Sequence, residues 1–317
     1  MRTVIIPSKY DNSRIDKALI GMFPFMPQNA LYKAFRKKDI KVNKVRVKEN
    51  AIVHEGDIVD IFIVDDILDG YKSTENGVAT RGFSVVYEDN NILIVNKEQG
   101  IAVHPDRDQK TNTLIDLVTE YIKSSKGNKP GNNLTFSPSL CHRLDRNTGG
   151  LVIIAKNENS LKAMLEKIAR KEVKKYYQCL VYGEMPRQYE ELHAYLEKDE
   201  KKSLVFIKDF KDKNSVEIIT RYRVLSYDRE NNISKLEVEL VTGRTHQIRA
   251  HLAHIGHPII GDGKYGTNAI NRAFGASYQA LWAYKLVFDF KDGGILGYLK
   301  GKEFEVTPSF KIKMKKQ

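Results

Sequence analysis

His142-Arg143-Leu144-Asp145-Arg146-Asn147-Thr148-Gly149-Gly150-Leu151-Val152-Ile153-Ile154-Ala155-Lys156 is the stretch around which the chain is organised. A charged run gives way to two glycines and then to a β-branched apolar run, the pattern of a buried strand. A single carboxylate, Asp145, stands between Arg143 and Arg146 just ahead of that strand. So placed, it has the character of a reacting group and not of a packing group.

Upstream of this stretch, residues 123–139 are rich in Gly, Pro, Asn, Ser and Lys and predict a mobile surface loop. Before it, Leu114, Leu117, Val118 and Tyr121 share one face of a helix over 113–122. Residues 83–87 and 92–95 predict a strand pair turned by Glu88-Asp89-Asn90-Asn91. Downstream, Asn157 or Asn159 caps a helix over 160–170 whose buried stripe is Leu161, Met164, Leu165 and Ile168. Lys174-Lys175-Tyr176-Tyr177 leads into a strand that ends at Gly183, and strands follow over 216–226 and 233–241. Gly243-Arg244-Thr245-His246-Gln247-Ile248-Arg249 then predicts a glycine turn into a helix from about 245, stopped by Gly256. Strands near 281–290 and 302–306 close the chain. Many strands and few helices, without strict alternation, indicate an α+β class with a mainly antiparallel sheet.

Residues 1–65 form a separate unit, joined by a polar linker over 66–82 to a domain over 83–317. Ser13 is the expected N-cap of a helix over 14–20. Asn29 opens a second helix, with Leu31, Ala34 and Phe35 on one side and Lys33, Arg36, Lys37 and Lys38 on the other. A hairpin over 40–48 turns at Asn43-Lys44 and adds Lys41, Lys44, Arg46 and Lys48. From Lys33 to Lys48 the only acid among these cations is Asp39. Such a face suits phosphates. The whole chain agrees, since 52 Lys and Arg against 40 Asp and Glu leave a net charge of +12 in 317 residues. A polyanion, foremost a nucleic acid, is the expected partner.

Other chemistries lack their motifs. The sequence has no phosphate-binding Gly-rich loop before Lys-Ser/Thr, no dinucleotide fingerprint and no Gly-x-Ser-x-Gly elbow. His246, His251, His254 and His257 have no carboxylate or cysteine among them before Asp262, so no metal site is expected. They read as packing and backbone-bonding groups, with His246 touching RNA. Cys141 and Cys179 sit among apolar or strand-like residues and read as reduced, buried thiols. The N-terminus lacks the apolar core of a signal peptide, and no apolar run approaches the ~18 residues of a membrane span. A cytoplasmic monomer is the expectation.

His142-Arg143-Leu144-Asp145-Arg146-x-Thr148-x-Gly150 resembles the signature of the RluA-type RNA pseudouridine synthases. Three further matches follow the family's order. They are Tyr87-Glu88-Asp89 through Asn96-Lys97 and Gly100 to His104-Pro105; Lys175-x-Tyr177 through Gly183; and Gly243-Arg244-Thr245-His246-Gln247-Ile248-Arg249 through Gly256-His257-Pro258-Ile259-x-Gly261-Asp262. The resemblance is strongest to the RluC/RluD branch, which acts on 23S ribosomal RNA. Glu98 stands where the family has proline, and Gly149 where it has serine. Residues 14–62 resemble the S4 RNA-binding domain through Arg14-x-Asp16-Lys17, Lys37-Lys38-x-Ile40-x-Val42-Asn43 and Glu55-Gly56-Asp57.

The resemblance implies a pseudouridine synthase fold and a reaction that breaks the N1–C1′ bond of a uridine, turns the base and rejoins it through C5. It needs no metal and no cofactor. Asp145 is implied as nucleophile, Arg249 as its charge partner, and Tyr177 as the ring that stacks on uracil and helps remove the C5 proton. A buried carboxylate is driven toward neutrality and an adjacent guanidinium opposes this. The target base must leave its stack, and Arg143 is implied to fill the gap with its planar group. His142, Arg146, Arg244 and His246, with Lys33, Arg36, Lys37 and Lys41, are the expected RNA contacts. The alternative reading is a catalytically silent RNA-binding or ribosome-assembly factor.

Overall fold

The structure, a computed structural model, describes residues 2–23, 28–63, 79–80, 82–106, 109–125, 136–199 and 204–313. The chain divides into two compact units, 1–82 and 83–317. Most of the expected linker, and the centre of the expected 123–139 loop, lie outside the described residues.

In the first unit, Arg2–Ile5, Ile58–Ile61, Ile40–Val42 and Val45–Arg46 form an antiparallel sheet in that order. The hairpin turns where expected. Asn43 and Lys44 both have positive φ, 48° and 68°, the type I′ geometry that matches strand twist. Ile15, Ala18 and Leu19 from the helix Ile15–Met22 and Leu31, Ala34 and Phe35 from the helix Gln28–Lys37 bury against Ile40, Val59 and Ile61. Ser13 does not cap the first helix. It pairs with Val53 as a strand residue, and Arg14 occupies the cap position without a side-chain cap bond. The β ladder claims the backbone that the cap would need.

The second unit is α+β with one large mixed sheet, mostly antiparallel. From the edge Leu204–Lys208 the order is Tyr189–Asp199, Val216–Asp228, Ile233–Leu240, Val173–Tyr182, Leu281–Phe288, Gly149–Ala155, Ile92–Lys97 and Phe83–Glu88. One neighbouring pair in that run is parallel, Gly149–Ala155 with Leu281–Phe288. The Gly149–Ala155 strand is buried along its whole length, as its unbroken apolar sequence requires. Beneath it the helix Glu158–Ala169 contributes Met164 to a core with Ile92, Ile94, Leu151, Ile153, Phe288 and Phe290. Asn157 caps that helix by accepting from the Ser160 N–H, which moves its start two residues ahead of the expected one. Both cysteines are buried free thiols.

Candidate active site

The sheet register lays out the site. Lys97 pairs with Gly150, Gly150 with Ala283, and Ala283 with Tyr177. These four residues cross four strands at one level, and the Asp145 turn lies just ahead of it. The close approach along this row explains the two glycines. A Cβ on Gly150, at φ +117°, would lie 2.2 Å from the Ala283 carbonyl oxygen. A Cβ on Gly149 would lie 2.5 Å from the Trp282 ring. The glycine that replaces the family's serine therefore accommodates Trp282, whose Nε1 donates to Asn96 Oδ1 at 3.2 Å.

The turn from Asp145 to Thr148 is held from several sides. The Thr148 N–H donates to the Asp145 carbonyl at 3.0 Å. The Arg146 carbonyl accepts from Lys97 Nζ at 3.0 Å and from the Gly100 N–H at 3.0 Å. The Asn147 carbonyl accepts from Gln99, and the Thr148 hydroxyl from Gln279. Lys97 is fully buried, and its Nζ also donates to the carbonyls of Glu98 and Ile101 at 2.8 and 2.9 Å. Burial pushes its pKa down to about 7, with Asp145 and Glu98 pulling the other way.

The side chain of Asp145 is 27% exposed, and Arg249 Nη1 donates to its Oδ2 at 2.7 Å. Arg249 comes from the helix Gln247–His254 and is itself buried. Its Nε and Nη2 donate to the two oxygens of Asp262, at 2.6 and 2.9 Å. Asp262 is completely buried and also accepts from the N–H groups of Lys264 and Tyr265. Burial raises its pKa, but Arg249 and those N–H groups outweigh that and leave it below the ordinary aspartate value. Asp262 thus fixes the guanidinium fork so that its third N–H meets Asp145. Sequence reading placed Asp262 only at the end of a motif. Lys97 was likewise quoted without a role, because spacing does not reveal a contact across the sheet.

Tyr177 is buried beside Asp145 in the strand Val173–Tyr182. The ladder with Leu281–Phe288 slips by one residue between Tyr176 and Tyr177, a bulge that re-aims the side chain. Burial first, and the Asp145 charge second, push its hydroxyl pKa well up, so the phenol keeps its proton. His246 Nε2 lies 3.8 Å from Asp145 Oδ2. Arg143 and Arg244 are exposed.

Two of the expected RNA contacts, His142 and Arg146, have partners within the chain. His142 is folded back on its own strand, where Nε2 accepts the Ile153 N–H at 3.1 Å. Its Nδ1 is buried with no hydrogen-bond partner, and burial drives the imidazole pKa down to about 3. It is a scaffold acceptor. Arg146 is engaged by Asp106, with Nη2 at 2.6 and 2.8 Å from the two oxygens. The remaining histidines disperse: His251 Nδ1 meets Thr220, His254 meets Asp209, and His257 Nδ1 meets the Tyr182 carbonyl. Among the described residues, no three His, Cys, Asp or Glu side chains gather as a metal site would require. No helix of the described residues is long and apolar enough to cross a membrane.

Residues 91–254 match the RNA pseudouridylate synthase family. The chain belongs to that family. An RNA pseudouridine synthase of Mycoplasma genitalium is 31% identical over 294 residues, covering 90% of this chain and 88% of that one. The ribosomal large subunit pseudouridine synthase C of Vibrio cholerae is 32% identical over 283 residues, covering 87% and 84%. The solved structure of human RNA pseudouridylate synthase domain containing 4 shares the fold, with a TM-score of 0.56 at 20% identity, covering 71% of this chain and 88% of that one. As a member of the family the protein is an isomerase acting on uridines in RNA.

Proposed function

We propose that the enzyme converts uridine to pseudouridine in 23S ribosomal RNA or its precursor, with Asp145 as the group that reacts at the sugar. One observation carries the chemical part: a single guanidinium spans two carboxylates, one buried and anchored, the other 27% exposed. Asp262 holds Arg249, Arg249 orients Asp145, and the exposed carboxylate meets the ribose. Tyr177 faces the uracil as a neutral phenol. Attack of Asp145 on C1′ expels the uracil as an anion; the base turns, C5 bonds to C1′ as Asp145 leaves again as a carboxylate, and the C5 proton is lost last while N1 takes one up. Tyr177, still protonated, orients the ring through these steps. Arg143, exposed at the head of the turn, fills the space of the flipped base.

The first unit acts in this reading as an S4-like RNA-binding module. Lys33, Arg36 and Lys37 are exposed on one side of its second helix. Lys41 lies on the neighbouring strand with its Nζ 5.2 Å above the Phe62 ring. The choice of ribosomal RNA is supported by relatives named for the large subunit. Mapping pseudouridines in ribosomal RNA with and without this protein tests it. Loss of one or more 23S positions is expected, and unchanged 23S with loss in transfer RNA would refute the substrate. A map unchanged everywhere would point to the catalytically silent factor.

A further inference from the structure

Tyr265 joins three parts of the second unit. Its hydroxyl oxygen accepts the Val205 N–H at 2.9 Å and lies 2.9 Å from His246 Nδ1. A backbone N–H can only donate, so the hydroxyl keeps its own proton for another acceptor. Among the described residues the acceptor in reach is His246 Nδ1. The imidazole then carries its proton on Nε2, the nitrogen 3.8 Å from Asp145 Oδ2.

We infer that His246 is a positioning residue for the reaction: its neutral Nε2–H, fixed by Tyr265, holds Oδ2 of Asp145 together with Arg249 and leaves Oδ1 as the attacking oxygen. This rests on reading Asp145 as the reacting group. Arg249 Nη1 reaches Oδ2 at 2.7 Å, and among the described residues Oδ1 has no hydrogen-bond donor. The 3.8 Å between Nε2 and Oδ2 is an electrostatic contact, which orients the carboxylate without binding it as closely as Arg249 does.

The backbone supports the assignment independently. His246 stands at φ 55°, ψ 13° ahead of the helix Gln247–His254, a left-handed conformation that costs a non-glycine residue about 1 kcal/mol. Tyr265 packs against both neighbours, edge to the His246 ring at 5.6 Å and under the Arg249 guanidinium at 5.3 Å. The charged groups that face the imidazole are Asp145, Arg249, Lys264 and Asp262. Burial, with Asp145 opposing and Arg249 and Lys264 assisting, lowers its pKa to about 4. Neutrality matters chemically. An imidazolium here would bind the nucleophile as a second full cation and compete with its attack, whereas a neutral N–H orients it.

Long-range proton–nitrogen spectra of the full-length, 15N-histidine-labelled protein read the tautomer directly. The His246 signals, identified by their loss in His246→Gln, should show Nε2–H and unprotonated Nδ1 from pH 5.5 to 8. Tyr265→Phe should give a mixture of tautomers and move the imidazole titration upward. A proton on Nδ1 in the unaltered protein, or a tautomer unmoved by Tyr265→Phe, overturns the inference. Kinetically, His246→Ala should lower kcat about a hundredfold with KM within about threefold. His246→Gln, which restores an N–H donor, should recover most of that loss. A rise in KM alone assigns His246 to RNA contact and overturns the role. The spectra do not depend on the nucleophile, so an active Asp145→Asn enzyme would refute the reading of Asp145 without refuting the tautomer lock.

Discussion

The Asp145 turn and the basic face of the first unit handle charge in opposite ways. Around Asp145 nearly every polar group has an assigned partner, from Lys97 under the turn to Asp262 behind Arg249. On the helix Gln28–Lys37 the cations Lys33, Arg36 and Lys37 stand exposed. On the proposed roles chemistry demands one geometry, so the residues behind Asp145 are buried and held from several sides. Gripping a long polyanion demands summed attraction over many weak contacts. Substitutions in the first region should therefore be severe and specific, and in the second mild and additive.

The sharpest way to break the first region is Arg249→Lys. An ammonium keeps the charge but cannot fork onto Asp262 and reach Asp145 together. We expect kcat to fall about a thousandfold with RNA affinity retained, measured under single-turnover conditions. A fall below tenfold would mean that the fork is not needed.

Acid should separate the two units next. His142 and His251 are buried neutral, with pKa values lowered to about 3 and about 4. The unfolded chain takes up protons near the ordinary histidine value of about 6.5 while the folded chain does not. Stability is thus full above that value and lost as pH falls from about 6.5 toward 4, by about 2 kcal/mol per histidine at pH 5. The one histidine of the first unit, His54, is exposed. Fluorescence of Trp282, the single tryptophan, reports the second unit. Its thermal midpoint should drop between pH 6.5 and 5, and an unchanged midpoint would contradict the buried neutral state.

Lys97→Met probes the support beneath the turn. It takes the ammonium donor from three partly buried carbonyls, of which only that of Arg146 keeps another donor among the described residues, and should cost about 3 kcal/mol in chemical denaturation. Because the Arg146 carbonyl is among them, kcat should fall about tenfold even in the folded fraction. Loss of stability alone would show that the Gly100 N–H suffices to hold the turn. The smallest effect belongs to the basic face. Replacing Lys33, Arg36, Lys37 and Lys41 together by Ala should raise KM about tenfold, leave kcat unchanged, and flatten the salt dependence by about three in slope.

Much of this arrangement was legible in the sequence, for local reasons. The apolar run 151–155 announces a buried strand and Asn43-Lys44 a hairpin turn, whereas the close backbone approach that Gly149-Gly150 serve shows only once the strands are paired. Asp145 stood out because no other acid lies near it in that stretch. What could not be read were relations across the sheet. Nothing in the spacing of Arg249 and Asp262 shows that they form a fork and a clamp. Nothing in Asn96-Lys97 shows that the ammonium lies beneath a turn fifty residues later. His142 misled for the same reason. It sits in a charged run, yet the pairing of Ser139–Leu140 with residues 154 and 155 returns it to the strand, where it becomes an acceptor for Ile153. Ser13 misled because a two-residue ladder outweighed a cap.

The central claim is that one carboxylate does the chemistry and the rest of the site orients it. Asp145→Asn removes the charge and keeps the shape. Assayed for pseudouridine formation on a uridine-containing ribosomal RNA fragment, it should lose at least about ten-thousandfold in single-turnover rate, with RNA binding within about threefold of the unaltered enzyme. A variant that still forms pseudouridine within about tenfold of the unaltered rate would contradict the claim.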